Sequence, residues 1–519
     1  MWTGAGGPPI LDAGVAVRTG RVSAIGPEGS IRELAGPDTR VIELDGRLLL
    51  PGFIDAHVHF LTGGFHLAEV DLRDADGPQE LAARIARHAS SLPAGSWITG
   101  GGWDHQRWGG ALPERSWIDD AAPDHPVFVT RLDLHMGVAN TEALRWAGID
   151  RNTVAPEGGA IERDAGGEPT GLLRDRAMTA LLGAIPAPTM DEEDAALKAA
   201  LRHAASLGLT GVHDMGTWDH LEAYRRARSE GDLTLRITAY LPIATWERVA
   251  DEVAHRGRGD EWLRWAGVKG FVDGSLGSLT ALFTEPYETD PGNRGLRVTD
   301  PSDLARGVRG ADAAGLQVAV HAIGDEANRE LLDLFRTVTQ QNGPRDRRFR
   351  IEHAQHLHPE DVDRFAELEV IPSLQPYHAI DDGRWAESVI GHARASRMHV
   401  FQALVASGAR LAFGSDWTVA PLDPLSGIHA AVTRRTLDGR HPDGWFPDQK
   451  VGLDEALRAY TSGAAFAGGR EDDLGTIEPG KRADFVVLSD DLFAIGPERI
   501  PEARVEITMV EGRVVFGSA

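Results

Sequence analysis

The stretch "PGFIDAHVHF", residues 51–60, ends an apolar run with two histidines around a single valine. Near neutral pH an imidazole serves as a proton shuttle or as a nitrogen ligand for a metal. Successive side chains of an extended strand point to opposite faces, so His57 and His59 project side by side while Ile54, Ala56 and Val58 alternate with them. Other short apolar runs close on residues of the same chemistry. His213 and Asp214 follow "LTGV", Lys269 sits in "RWAGVKGFVDGS", His321 follows "QVAV", His353 follows "RFRIE" and Asp416 follows "LAFGS". One histidine at a strand end is ordinarily a satisfied polar group. Agreement among several strands predicts a shared site of imidazole and carboxylate, a donor set that suits Zn, Fe, Mn or Ni without any sulfur.

Such a site needs elements that bring the strand ends to one rim. Through the middle of the chain a unit recurs: a helix-like run, a short apolar strand, then a polar residue where the strand stops. "DEEDAALKAALRHAASLG" leads into "LTGVHD", "PSDLARGVRGADAAG" into "LQVAVHAIGD", "HPEDVDRFAELE" into "VIPSLQP", and "RMHVFQALVASG" into "ARLAFGSDW". Repeated αβ units imply parallel strands, and with this length they predict an α/β fold, a (β/α)8 TIM-type barrel over residues 51–470. No G-x-G-x-x-G or G-K-[ST] fingerprint favours a nucleotide-binding sheet. Residues 1–50 and 471–519 read as short strands with Gly and Asp turns, which predicts a small β-sandwich built from both chain termini. Residues 93–147, rich in Gly, Trp and Pro, read as an insertion over the barrel mouth.

Composition narrows the partners. The 519 residues carry 53 basic against 78 acidic side chains, a formal charge of −25, with no clustered Lys/Arg patch for phosphate backbones or anionic lipids. A small-molecule substrate is expected, with no nucleic acid and no membrane partner, and a homodimer as the commonest oligomer. There is no cysteine, which excludes disulfides and thiolate ligands. No run approaches the ~18 apolar residues of a membrane span, and the start lacks a signal-peptide pattern, so the expected location is cytoplasmic. Lys198, Lys269, Lys450 and Lys481 are the four lysines in an otherwise all-arginine complement. Where arginine has replaced lysine so widely, a surviving lysine marks chemistry that a guanidinium does not supply.

The ordered set "PGFIDAHVH", "VK", "VH", "EH" and "GSDW", with the closing "LGTIEPGKRADFVVL", resembles the amidohydrolase superfamily of metal-dependent hydrolases. The fuller patterns "GGWD", "VKGFVDGSLGSLTA", "VHAIGD", "IEHAQ" and "QPYHAIDD" are similar to its YtcJ branch, which includes N-substituted formamide deformylases. The resemblance implies that His57, His59 and Asp416 hold one metal ion and His321 and His353 a second. It also implies that Lys269 carries a CO2-derived carbamate bridging the two. The alternative for Lys269 is a buried lysine paired with Asp273. The implied cofactor is a divalent metal, Zn foremost, as one or two ions.

A divalent ion of this kind lowers the pKa of water and polarises a carbonyl, and Asp416 is the implied proton shuttle to the leaving nitrogen. Trp103 and Asp104 in "GGWDH", His135 in "RLDLHMGVAN", His378 in "QPYHAIDD" and Asp273 match substrate-pocket positions. His213 is placed behind the ligands, and Asp273, Gly274 and Ser275 form a loop expected to orient Lys269. The expected activity is hydrolysis of the C–N bond of a small N-acyl or N-formyl amine. The alternatives are deamination of a ring-bearing molecule, against which Lys269 counts, and a non-enzymatic regulator on the same scaffold.

Overall fold

The computed structural model describes residues 1–132, 136–156 and 159–518. Its central sheet has eight strands, here numbered in chain order. They are β1 Phe53–Val58, β2 Leu209–Met215, β3 Arg236–Pro242, β4 Leu263–Phe271, β5 Gln317–Ala322, β6 Arg350–His353, β7 Ile371–Leu374 and β8 Ala412–Phe413. Each pairs in parallel with the next. Contacts just beyond β8 close the sheet onto β1: the Asp416 N–H donates to the His57 carbonyl at 2.7 Å, and the His59 N–H to the Trp417 carbonyl at 2.8 Å. Gly414 permits this approach, since a Cβ there would lie 2.5 Å from the His57 nitrogen. The barrel expected from the recurring αβ pattern is therefore present.

The segment that delivers His321 shows how local sequence builds one unit. Asp300 caps the helix Pro301–Ala313 by accepting from the N–H groups of Ser302 and Asp303, and Pro301 occupies the first turn, where a missing N–H costs little. Leu304, Val308 and Ala311 recur at helical spacing and are buried. Gly315, at φ +78°, takes the left-handed turn that ends the helix. The β-branched run "QVAVHA" then extends as β5, with Val318 and Val320 buried in the sheet.

Leu48–Pro51 joins three C-terminal strands, Phe485–Leu488, Val505–Val510 and Arg513–Phe516, in a four-stranded antiparallel sheet. Ala13–Arg18 and Arg21–Pro27 pair as a separate ribbon. Val22, Leu49, Phe485, Val487 and Ile507 share one apolar core. Asp484, just before the first C-terminal strand, forms a bidentate ion pair with Arg236 of β3 at 2.6 and 3.0 Å, both side chains being buried. Asp484→Ala strands that guanidinium and is expected to lower stability by about 3–5 kcal/mol. The urea-unfolding midpoint checks this; a loss below about 1 kcal/mol is what a solvent-screened pair would give.

Residues Gly64–Ala196 form a second compact unit, beside a first made of Met1–Gly63 and Leu197–Ala519. The second unit carries a six-stranded mixed sheet in the order Val70–Asp71, Gly100–Trp103, Phe128–Arg131, Met136–Ala139, Pro169–Asp175, Gly159–Arg163. Among the described residues no helix is long and apolar enough to cross a membrane.

Candidate metal centre

The parallel strands all end at one rim, and the sequence-derived residues stand there. His57 is in β1 and His59 just past it, Lys269 is in β4, His321 in β5, His353 ends β6, and Asp416 follows β8. Each histidine has one ring nitrogen tied to an acceptor. His57 Nδ1–H donates to Glu352 Oε2 (2.6 Å), His59 Nδ1–H to the Met215 carbonyl (3.1 Å), His321 Nε2–H to the Gly274 carbonyl (3.0 Å), and His353 Nδ1–H to Gln375 Oε1 (2.8 Å). A neutral imidazole that donates at one nitrogen keeps a lone pair on the other.

Those lone pairs have a focus. Nε2 of His57 and of His59 lie 3.5 and 3.4 Å from Asp416 Oδ1. His57 Nε2 and Asp416 Oδ1 are buried and have no hydrogen-bond partner. Two lone-pair-bearing atoms facing each other in a desolvated space repel unless a cation or a proton stands between them. The potential ligand atoms of His57, His59 and Asp416 all lie within 4.8 Å of one another, as do those of His353, His378 and Asp416. The residues present therefore fit a divalent cation.

The protonation states of His57, His321, His353 and Asp416 fit as well. Burial lowers His57, takes His321 down to about 3 and holds His353 well below the usual histidine range. For Asp416 burial is outweighed by His57, His59 and His353, which hold the carboxyl well below its ordinary range. His59 is the exception: burial lowers it, but the Asp416 carboxylate 3.4 Å away outweighs that and raises it, so a cation binding here displaces a proton. Ionised carboxylate and neutral imidazole are the forms that bind metal.

Lys269 is buried and forms no ion pair among the described residues; burial pulls its amine down from 10.5 to about 8, against the charges of Glu352 and Asp416. Its Nζ lies 4.3 Å from the centre of the Phe271 ring. Asp273 is not its partner. The Asp273 carboxylate instead accepts from the N–H groups of Leu282, Ile323 and Gly324 (2.8, 3.0 and 2.8 Å), and burial raises it to about 7. The loop at 273–275 thus orients His321, through the Gly274 carbonyl, rather than the lysine as the sequence suggested. Asp273 is buried, with three backbone N–H donors on its carboxylate and Oδ1 3.6 Å from His321 Nε2, so it holds the loop and the histidine rather than the lysine.

The remaining expectations divide. His378 stacks on His353 with ring centroids 6.3 Å apart, and its buried Nε2 has no hydrogen-bond partner. It therefore sits with the ligands rather than in a separate pocket. His213, buried on β2, accepts from Arg350 at 2.9 Å. Trp103 is fully buried in the apolar core of the second unit, where its indole N–H donates to the Val129 carbonyl, and Asp104 pairs with Arg131. Trp103 is a packing residue. His135 lies outside the described residues.

Sequence reasoning missed Arg350 and Glu352. The signal was available: two charges at alternate positions of "RIEH" in a strand of a parallel sheet, where both faces are covered and apolar residues are the rule. The backbone also carries strain at this rim. His353, Ala354 and Asp416 have φ of +73°, +40° and +58°, a region that non-glycine residues occupy at a cost and mainly at functional sites.

A closed parallel barrel with histidines, a buried lysine and an aspartate at the carboxyl ends of its strands defines a metal-dependent hydrolase scaffold. The amidohydrolase family model matches residues 40–516, and the chain belongs to that family. It is 41% identical over 494 residues to Protein LONG AFTER FAR-RED 3 of Arabidopsis thaliana, covering 93% of this chain and 84% of the relative. Over 524 residues it is 31% identical to an N-substituted formamide deformylase of Arthrobacter pascens, covering 96% and 94%. Among solved structures, an uncharacterized metal-dependent hydrolase from Pyrococcus horikoshii OT3 superposes with a TM-score of 0.78 at 30% identity, covering 93% and 95%.

Proposed function

We propose that the protein hydrolyses the C–N bond of a small N-formyl or N-acyl amine, with zinc held by His57, His59 and Asp416 and a second ion by His321 and His353, which His378 adjoins. The observation that carries this reading is the buried, unpartnered facing of His57 Nε2 and Asp416 Oδ1. When bound, such ions polarise a carbonyl and bring the pKa of water toward neutrality.

The chain's own residues supply the rest. Asp416, held ionised, accepts the proton of the attacking water and delivers it to the amide nitrogen, because an amine leaves poorly unless protonated. Lys269, whose amine is easily neutralised in its buried setting, would add to CO2, forming an N–C bond as a C=O electron pair moves onto oxygen and one N–H proton passes to water; the carbamate would supply an anionic oxygen donor beside the rim histidines. Phe271, a large apolar side chain left 39% exposed, lies 5.3 Å from His321 and offers a wall for an apolar N-substituent. Support also comes from the formamide deformylase relative.

The test is a product assay. Zinc-loaded protein incubated with N-alkylformamides of increasing chain length is expected to release formate and the primary amine in equal amounts. Ammonia released from ring-bearing amines, with formamides left intact, would replace this reading with a deaminase.

A further inference from the structure

Of the four acceptors that fix the rim histidines, the Met215 and Gly274 carbonyls and the Gln375 amide are neutral, and Glu352 alone is a carboxylate. We infer that Glu352 is a positioning residue that makes the pocket of His57, His59 and Asp416 the tighter of two cation pockets, by fixing the His57 tautomer and strengthening its Nε2 as a donor. The inference rests on the reading that these pockets take divalent cations.

Glu352 is wholly buried on β6 and reaches across the barrel interior to His57, since β6 and β1 are not neighbours in the sheet. Arg350, two residues earlier and so on the same face of the strand, holds it in place. The guanidinium pairs with Glu352 at 2.8 Å and donates to Glu352 Oε2 at 3.1 Å. It also donates to the Ala56 carbonyl (2.5 Å), His213 Nδ1 (2.9 Å), the Tyr240 hydroxyl (3.0 Å) and Ser373 Oγ (2.9 Å). These partners belong to β1, β2, β3 and β7, so one buried cation on β6 ties four other strands to the carboxylate behind His57. A carboxylate accepting from Nδ1–H pushes electron density toward Nε2 and locks the ring orientation, and loss of such outer partners typically costs 10–100-fold in metal affinity. His353 receives an amide acceptor and His321 a carbonyl; the Asp273 carboxylate stands 3.6 Å from His321 Nε2 but is bound to the N–H groups of Leu282, Ile323 and Gly324, so neither ring has a carboxylate in hydrogen-bond contact and their pocket lacks this reinforcement.

The metal-free, full-length protein is loaded stepwise with Zn²⁺ against a chromophoric chelator. Wild type is expected to show two classes of binding, the tighter lost in His59→Ala and kept in His353→Ala. Glu352→Gln is expected to weaken the tighter class by about 10–100-fold and leave the weaker one unchanged. A merely structural role for Glu352 would lower the Tm of the metal-free protein without moving the ratio of the two affinities. Glu352→Asp keeps the charge but draws it back by one methylene, and an intermediate loss is expected; this variant carries the test if the glutamine variant does not fold. Wild-type affinity in the tighter class of the folded variant, or a tighter class that survives His59→Ala, overturns the inference. A wild type that takes up no Zn²⁺ at all overturns the metal reading and the inference with it.

Discussion

Asp416→Asn is expected to reduce turnover of an N-alkylformamide by on the order of 10³-fold at saturating zinc, the range observed when a positioned acid–base group is lost. The substitution isolates chemistry from folding. Asparagine is close in volume to aspartate and is, with aspartate, among the non-glycine residues best suited to the left-handed conformation at φ +58°. What the amide lacks is the negative charge that three histidines hold in place at neutral pH and the capacity to accept a proton. Zinc content is expected to fall together with rate, because a neutral ligand replaces an anionic one where His57 and His59 converge. The measurement is kcat and KM with metal analysis on the same preparation. A folded, zinc-loaded variant within about tenfold of the wild-type kcat would remove Asp416 from the proton-transfer role.

Lys269→Met is expected to abolish activity while making the metal-free protein more stable at pH 7. In the wild type the buried ammonium has its pKa drawn down from 10.5 to about 8, which corresponds to about 3 kcal/mol of cost to the folded state. The sign follows from proton counts. Below pH 8 folded and unfolded chains both carry the proton and the cost is full; between about 8 and 10.5 the folded chain binds fewer protons, and the cost is relieved as pH rises. Methionine removes the charge and keeps the bulk. It also removes the amine that adds CO2, so metal uptake is expected to fall from about two equivalents to about one. Calorimetry on the metal-free proteins and elemental analysis on the loaded ones read the two halves separately. Uptake of about one equivalent in both proteins would assign a single-ion site, uptake of about two in both would remove the lysine from metal binding, and an unchanged or lowered Tm would show that Lys269 is stabilised by contacts its burial does not reveal. A residue that costs stability and is retained marks a site where function outweighs folding.

The barrel and most of its rim were legible because the signals are local. A capped amphipathic helix, a glycine turn and a β-branched run specify one αβ unit within about thirty residues, as in the segment from Asp300 to Ala322. The residue ending each strand is placed by that same geometry, so His57, His321, His353 and Asp416 were found as a set. The Gly- and Trp-rich stretch misled, since Trp103 belongs to a mixed sheet with its own core rather than to a ligand pocket. Its tryptophans gave no periodic signal separating packing from binding. The loop at Asp273 misled for another reason: adjacency to Lys269 in sequence says nothing of which carbonyl faces which imidazole on the next strand.

What the chain determined by itself is the list of groups that arrive at the rim, because strand ends and residue types are local properties. Which nitrogen of each imidazole is left free, and what stands behind it, was decided only by tertiary structure. The partner that orients His57 is 295 residues away, on a strand that does not pair with its own. Such contacts exist because eight strands, brought to one rim by their helical connections, close into a barrel narrow enough for Arg350 and Glu352 to span its interior.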